Sequence, residues 1–196
     1  MPRPSLKAER TKTILDAVET CVVEYGVHGT TLEKIAEVAA LRRSLLRHNI
    51  GNRDAIFEMF LDRFFERSDN EVQAMLSCLP DQNRIPPLLD LLFDDYQTTH
   101  QLALVALSLT LGAVSDANIR ERLRAWNLQF IERMSDELQR SYPTAPKKDV
   151  DTIAAGLVGI YFNAESLAPL GALQSIRQSS KEAARKLIQT LAGHAP

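Results

Sequence analysis

The sequence predicts an all-α protein in two parts: a three-helix head with a helix-turn-helix, residues 1–52, and a larger helical body, residues 53–196. Three observations lead there. Apolar residues recur at spacings of three and four through most of the chain, as in helices buried along one stripe, and no stretch alternates as a half-buried strand would. Between Thr30 and Asp54 two such patterns are short and nearly contiguous, the layout of a helix-turn-helix. Charge is also uneven: nine Lys/Arg stand against six Asp/Glu up to Arg53, and fourteen against nineteen beyond it. A net charge of −2 therefore hides a basic head on an acidic body, which is what phosphate binding by one end requires.

Taken in order, Pro2 to Lys12 carries Arg3, Lys7, Arg10 and Lys12, either an arm that reaches phosphates or a frayed, solvated terminus. From about Leu6 to Tyr25, Ile14, Ala17, Val18, Cys21, Val22 and Tyr25 fall on one helical face, and Gly26 stands where a C-cap glycine ends a helix. Thr30 or Thr31 caps the next helix, and Glu33, three residues after Thr30, completes a capping-box pattern. Leu32, Ile35, Ala36 and Ala39 form its buried stripe. Ala39 and Ala40 are small enough for another helix to cross closely, and in that helix Leu41, Leu46 and Ile50 point inward. Its free side holds Arg42, Arg43, Ser44, Leu45, Arg47 and His48, with few competing acids.

These residues carry a resemblance. Ile14-Leu15, Ala17, Gly26, Thr30-Thr31, Ile35-Ala36, Ala39-Ala40, Leu46, Ile50 and Asn52-Arg53-Asp54 with Ile56 follow, without a gap, the pattern of the TetR (tetracycline-repressor-like) transcriptional regulators. The resemblance covers the DNA-binding domain of that family. It implies a dimer on a palindromic operator in double-stranded DNA, usually repressing, with a small-molecule effector bound by the body. Arg42 and Arg43, with Ser44 beside them, then meet base edges, where arginine bonds guanine O6 and N7, and Leu45 touches a thymine methyl. Arg47 and His48 hold phosphates, helped by Thr31 and Arg53. Two departures stand out. Ala40-Leu41-Arg42 replaces the usual Gly-Val-Ser, removing a Ser cap and putting a cation at a helix start. Arg47, Asn49 and Ile50 replace the family's aromatic and histidine positions.

Asn52 caps a linking helix that runs to about Ser77, with Ile56, Phe57, Phe60 and Phe64, then Val72 and Leu76, on its buried side. Leu79 to Pro87 holds three prolines and reads as a loop. Further helices are expected at roughly 86–99, 101–114, 116–141, 147–169 and 174–192. Ser115 or Asp116 caps the third of these, whose stripe is Ile119, Leu123, Trp126, Phe130 and Met134.

The body offers no catalytic motif: HExxH, GxSxG, GxGxxG and GxxxxGK[ST] are absent, and the four histidines lack metal-ligand spacing. No enzyme activity, cofactor or metal is expected. A pocket is the more natural use of inward aromatics with scattered polar groups, and Phe93, Tyr96, His100, Trp126, Phe130, Tyr161, Asn163 and Glu165 are its candidates. Cys21 and Cys78 read as core thiols. With no signal peptide or membrane span legible, a cytoplasmic location is expected. The last two helices, with Ala155, Gly156, Gly159, Leu157, Ile160, Ala164 and Leu167 on one and Ile176, Ala184, Leu187, Ile188 and Leu191 on the other, either supply a dimer surface or are buried within one chain. The rival reading is a helical adaptor or small-molecule-binding protein with weakened DNA binding.

Overall fold

The computed structural model describes residues 6–94, 99–167 and 173–194. Their regular structure is helical throughout: α1 (Leu6–Gly29), α2 (Leu32–Val38), α3 (Arg43–Asn49), α4 (Arg53–Ser77), α5 (Ile85–Phe93), α6 (Thr99–Gly112), α7 (Ala117–Ser141), α8 (Lys147–Ser166) and α9 (Leu173–Gln189), closed by a 3-10 turn over Thr190–His194. The chain divides into two compact units, residues 1–68 with 105–123, and residues 69–104 with 124–196. The expected head, 1–52, falls within the first.

In the first unit the α1 stripe is buried as its spacing requires: Ile14, Val18, Cys21 and Val22 are fully enclosed. Each such aliphatic side chain contributes about 1.5–3 kcal/mol on burial. Tyr25 departs from this stripe. It is 43% exposed and lies under Lys34, whose Nζ is 4.6 Å from the ring centroid. Gly26 kinks α1 rather than ending it: its φ of 69° and ψ of 175° suit a residue without a Cβ, and one more helical turn follows to Gly29. Asn52 caps α4 by accepting from Ala55 N at 2.8 Å, and Asp116 caps α7 by accepting from Asn118 N and Ile119 N at 3.0 and 3.1 Å. α4 buries Ile56, Phe57, Phe60, Leu61 and Phe64. Arg63 on α4 ties it to α1 through Asp16 at 2.6 Å and Glu19 at 3.1 Å.

The second unit is centred on Leu88, Leu89, Leu92 and Phe93 of α5, Phe130, Met134 and Leu138 of α7, and Val150, Ala154, Leu157, Val158, Tyr161 and Ala164 of α8, closed by Ala184, Ile188 and Leu191. Pro86 and Pro87, expected in the preceding loop, lie in the first turn of α5, where a missing N–H leaves no bond unmade. α5 ends at Phe93, short of the expected residue 99, and residues 95–98 lie outside the described residues. Arg84 fastens the loop before α5: its Nε donates to Glu137 at 2.6 Å and its Nη1 to the carbonyl of Pro80 at 2.8 Å. Of the two thiols read as core, Cys21 is buried, whereas Cys78 is exposed just past the end of α4. Among the described residues no helix is long and apolar enough to cross a membrane.

Candidate functional site

The head is built outward from Leu46, which is fully buried and anchors α3. Thr31 is the cap of α2, accepting from Lys34 N at 3.3 Å, while Thr30 turns inward and donates its hydroxyl to the Gly26 carbonyl at 2.8 Å. The capping box expected of Thr30 and Glu33 is therefore not the one made. At the other end of α2, Ala40 N donates to Glu37 O at 3.1 Å and Leu41 N to Ala36 O at 3.0 Å. This is the paired closure of a Schellman turn, whose residue after the cap adopts left-handed backbone. Here that residue is Ala40, with φ 51°, standing where the resembling pattern has glycine.

The turn delivers Arg42 as the N-cap of α3, with no side-chain cap bond, so the loss of the customary Ser leaves the first turn uncapped. Arg42, Arg43, Ser44, Arg47 and His48 are exposed, and Leu45 is half-buried. Arg47 and His48 sit in the last turn, where the helix dipole favours cations, and α3 contains no acid in its first turn. Two expected contacts are differently placed. Arg43 Nη1 lies 2.5 Å from Glu33 Oε1 of α2. Arg53 is turned to backbone, with Nε donating to Thr30 O and Nη2 to Val27 O, both at 2.8 Å, and its guanidinium over the Phe57 ring. Thr31, half-buried, is engaged as the α2 cap.

In the second unit the structure brings together most of the aromatic candidates. Tyr161 lies 6.2 Å from Phe93 and 5.8 Å from Phe130, while Phe162 lies 5.5 Å from Trp126 and 6.0 Å from Phe130, centroid to centroid. Phe162 was not singled out from the sequence, although its place beside Tyr161 on α8 was the available signal. Glu165 is fully buried and ion-paired with Arg177 of α9, which also donates to Phe93 O at 3.1 Å. Its charge is thus balanced within the chain. Asn163 stands apart from the aromatics, exposed in a groove of about 710 Å³ with Gly159, Ile160, Ile176 and Ser180. A larger cavity of about 1360 Å³ is lined by Phe93, Asp94, Arg177 and Lys181. There Lys181 bridges Asp90 at 2.7 Å and Asp94 at 2.5 Å. Burial opposes the charge on Lys181, but hydrogen bonds from it to the two carboxylates outweigh this and raise its pKa. Tyr96 and the side chain of His100 lie outside the described residues.

Part of the expected dimer surface is used inside the chain. Leu157, Ala164, Ala184, Ile188 and Leu191 are buried there. A Cβ on Gly156 would meet Leu187 Cδ2 at 2.8 Å, so this glycine serves the α8–α9 crossing. Ala155 and Gly159 are exposed, and Ile160, Ile176 and Leu187 are half-buried.

No protein-family model matches the chain. It is similar to the HTH-type transcriptional regulator BetI of Vibrio vulnificus, 20% identical over 163 residues covering 82% of this chain and 81% of that protein. A TetR-like transcriptional regulator from Rhodococcus sp. RHA1 has a TM-score of 0.73 at 20% identity, covering 98% of this chain and 99% of its own. A transcriptional regulator from Saccharomonospora viridis, solved in complex with choline, has a TM-score of 0.74 at 14% identity, covering 92% and 96%. Together with the unbroken helix-turn-helix spacing of its first third, these likenesses give the protein the fold of the TetR-family transcriptional regulators.

Proposed function

We propose that the protein is a DNA-binding transcriptional regulator whose residues 1–52 read an operator and whose residues 53–196 bind an effector and a second copy of the chain. The observation that carries this reading is the exposed cationic face of α3, Arg42, Arg43, Arg47 and His48, presented by a tight turn and anchored by buried Leu46. In a helix-turn-helix the second helix enters the major groove by its N-terminal residues, so Arg42 and Arg43 meet base edges and Arg47 and His48 meet phosphates. One such head reads only a few base pairs, which favours a dimer on a palindromic site. The curated relatives are regulators rather than enzymes, in keeping with this assignment.

We assign the effector site to the edge of the aromatic group where half-buried Trp126 and Phe162 meet, with Phe93, Phe130 and Tyr161 buried behind them. Aromatic faces attract organic cations, and a structural neighbour holds choline, so a quaternary ammonium ion is the first probe. An effector releases DNA only if it binds the DNA-free state better than the DNA-bound state. Selection of bound fragments from a random-sequence duplex pool tests DNA reading directly: enrichment of a two-fold symmetric site is expected, and absence of any enriched site would remove the assignment. Choline titration followed by fluorescence of Trp126, the chain's one tryptophan, tests the effector site. Loss of operator binding alongside a saturable fluorescence change is the expected result.

A further inference from the structure

We infer that Glu33, an acid on the helix preceding the recognition helix, is a specificity-determining residue that acts by positioning Arg43. The inference rests on the reading of α3 as the helix that enters the major groove. Glu33 lies in the first turn of α2 and reaches across the turn to Arg43, the first residue of α3, with Oε1 2.5 Å from Nη1. Both side chains remain more than half exposed, at 61% and 51%, so neither is held there by burial. The carboxylate is not needed as a cap either, because Thr31 fills that role.

Two consequences follow from this contact. A guanidinium is a planar fork, and fixing Nη1 leaves Nε and Nη2 as a pre-aimed pair of donors for the O6 and N7 of guanine. Ordering that fork before binding reduces the entropy lost when it meets a base. At the same time the carboxylate offsets the charge of Arg43 and stands on a helix that crosses the DNA backbone, so it disfavours phosphate contact with any sequence. One acid therefore strengthens reading of the right base and weakens sequence-independent attraction, both of which widen the ratio between specific and non-specific binding. Arg47 and His48, exposed on the same helix, supply the general attraction.

The test compares full-length wild-type protein with variants on two duplexes of equal length: the site enriched by wild type from a random pool, and the unselected random pool. Glu33→Gln keeps the side-chain shape and removes the charge. It is expected to tighten binding to the random pool severalfold, to steepen its salt dependence by about 0.9 per head, and to lower the specificity ratio about tenfold. Glu33→Asp keeps the charge but shortens the reach, and should lower the ratio without changing the salt slope. In an Arg43→Ala background, Glu33→Gln should tighten both duplexes equally and leave the ratio where Arg43→Ala set it. An unchanged ratio in Glu33→Gln with an unchanged melting temperature would overturn the inference, as would an equal loss of ratio in the Arg43→Ala background. If wild type enriches no site, the DNA-reading assignment itself falls, an outcome visible before any variant is made.

Discussion

Ala40 is the residue at which this chain most visibly sets aside a local preference. An L-residue with a Cβ in left-handed backbone carries a strain of about 1–2 kcal/mol, and only part of that is offset by the lower unfolded-state entropy of alanine relative to glycine, about 0.4–1 kcal/mol. Ala40→Gly should accordingly stabilise the protein by about 0.5–1 kcal/mol in chemical denaturation, with no loss of DNA affinity. A destabilised variant would show that the turn is relaxed. Arg53 poses the opposite case. Its charged hydrogen bonds to the carbonyls of Thr30 and Val27 join the start of α4 to the end of α1. Charge-assisted bonds of this kind contribute about 1.5–3 kcal/mol. Arg53→Ala is expected to cost about 2 kcal/mol of stability, and Arg53→Lys should recover little of it, because an ammonium does not reproduce the fork. If Arg53→Ala instead melts as wild type does and only weakens DNA binding, Arg53 acts at a phosphate as its motif position implies. The sequence placed Arg53 in a family motif but contains nothing that distinguishes a backbone clasp from a phosphate contact. That choice depends on carbonyls 23 and 26 residues away.

Among the elements, α6 meets the end of α1 within the first unit at a point with no spare room. A Cβ on Gly112 would stand 2.5 Å from Val27 Cγ2 and 2.9 Å from Val27 Cβ. Valine is stiff at χ1, so the backbone rather than a rotamer must give way. Gly112→Ala is expected to destabilise by about 1–3 kcal/mol, and Val27→Ala in the same chain should recover part of that loss. A neutral Gly112→Ala would mean that α6 stands further from α1. Beside this contact His28 Nε2 lies 2.8 Å from Ser115 Oγ, a second tie between the same segments. The α1–α4 tie carries a pH signature. Burial favours neutral Asp16, but hydrogen bonds from Lys12 and Arg63 outweigh it and hold the pKa below its ordinary value. A depressed carboxylate pKa gives stability that is present above the unfolded value, near 3.8, and is lost as pH falls through the folded one. Wild type should therefore melt above Arg63→Ala at pH 6, and the gap should narrow below about pH 4. A gap that stays constant down to pH 2.5 would refute the tie. Helix existence was legible because capping residues and apolar spacing act within a turn or two, as Asn52 and Asp116 show. The kink at Gly26 was not, since a glycine at a helix end and one inside a kinked helix look alike in sequence.

At the scale of the whole molecule, the dimer we propose has to be supported by the surface that remains after α8 and α9 have packed on each other. Gly159, Ile160, Ile176 and Ser180 remain at least partly exposed along the groove those helices form, where small residues alternate with two isoleucines and allow close helix approach. Sedimentation at micromolar concentration should give a dimer, and Gly159→Glu should shift it to monomer while leaving the helical content unchanged. A persistent dimer in that variant would move the interface elsewhere.

The sequence by itself determined the helical class, nearly every helix, the helix-turn-helix and its exposed arginines, because these follow from spacing, capping and charge within a few residues. Comparison with the resembling family pattern marked Ala40-Leu41-Arg42 as a departure, but not the left-handed backbone of Ala40. Only the tertiary structure decided that Glu33 meets Arg43, that Arg53 grips backbone, that Glu165 is balanced by Arg177, and that Leu157, Ala164, Ala184, Ile188 and Leu191 of the expected dimer stripe are interior. Each of these is a pairing between side chains on different elements. A long charged side chain has many partners within reach in sequence terms, and only the packed backbone selects one.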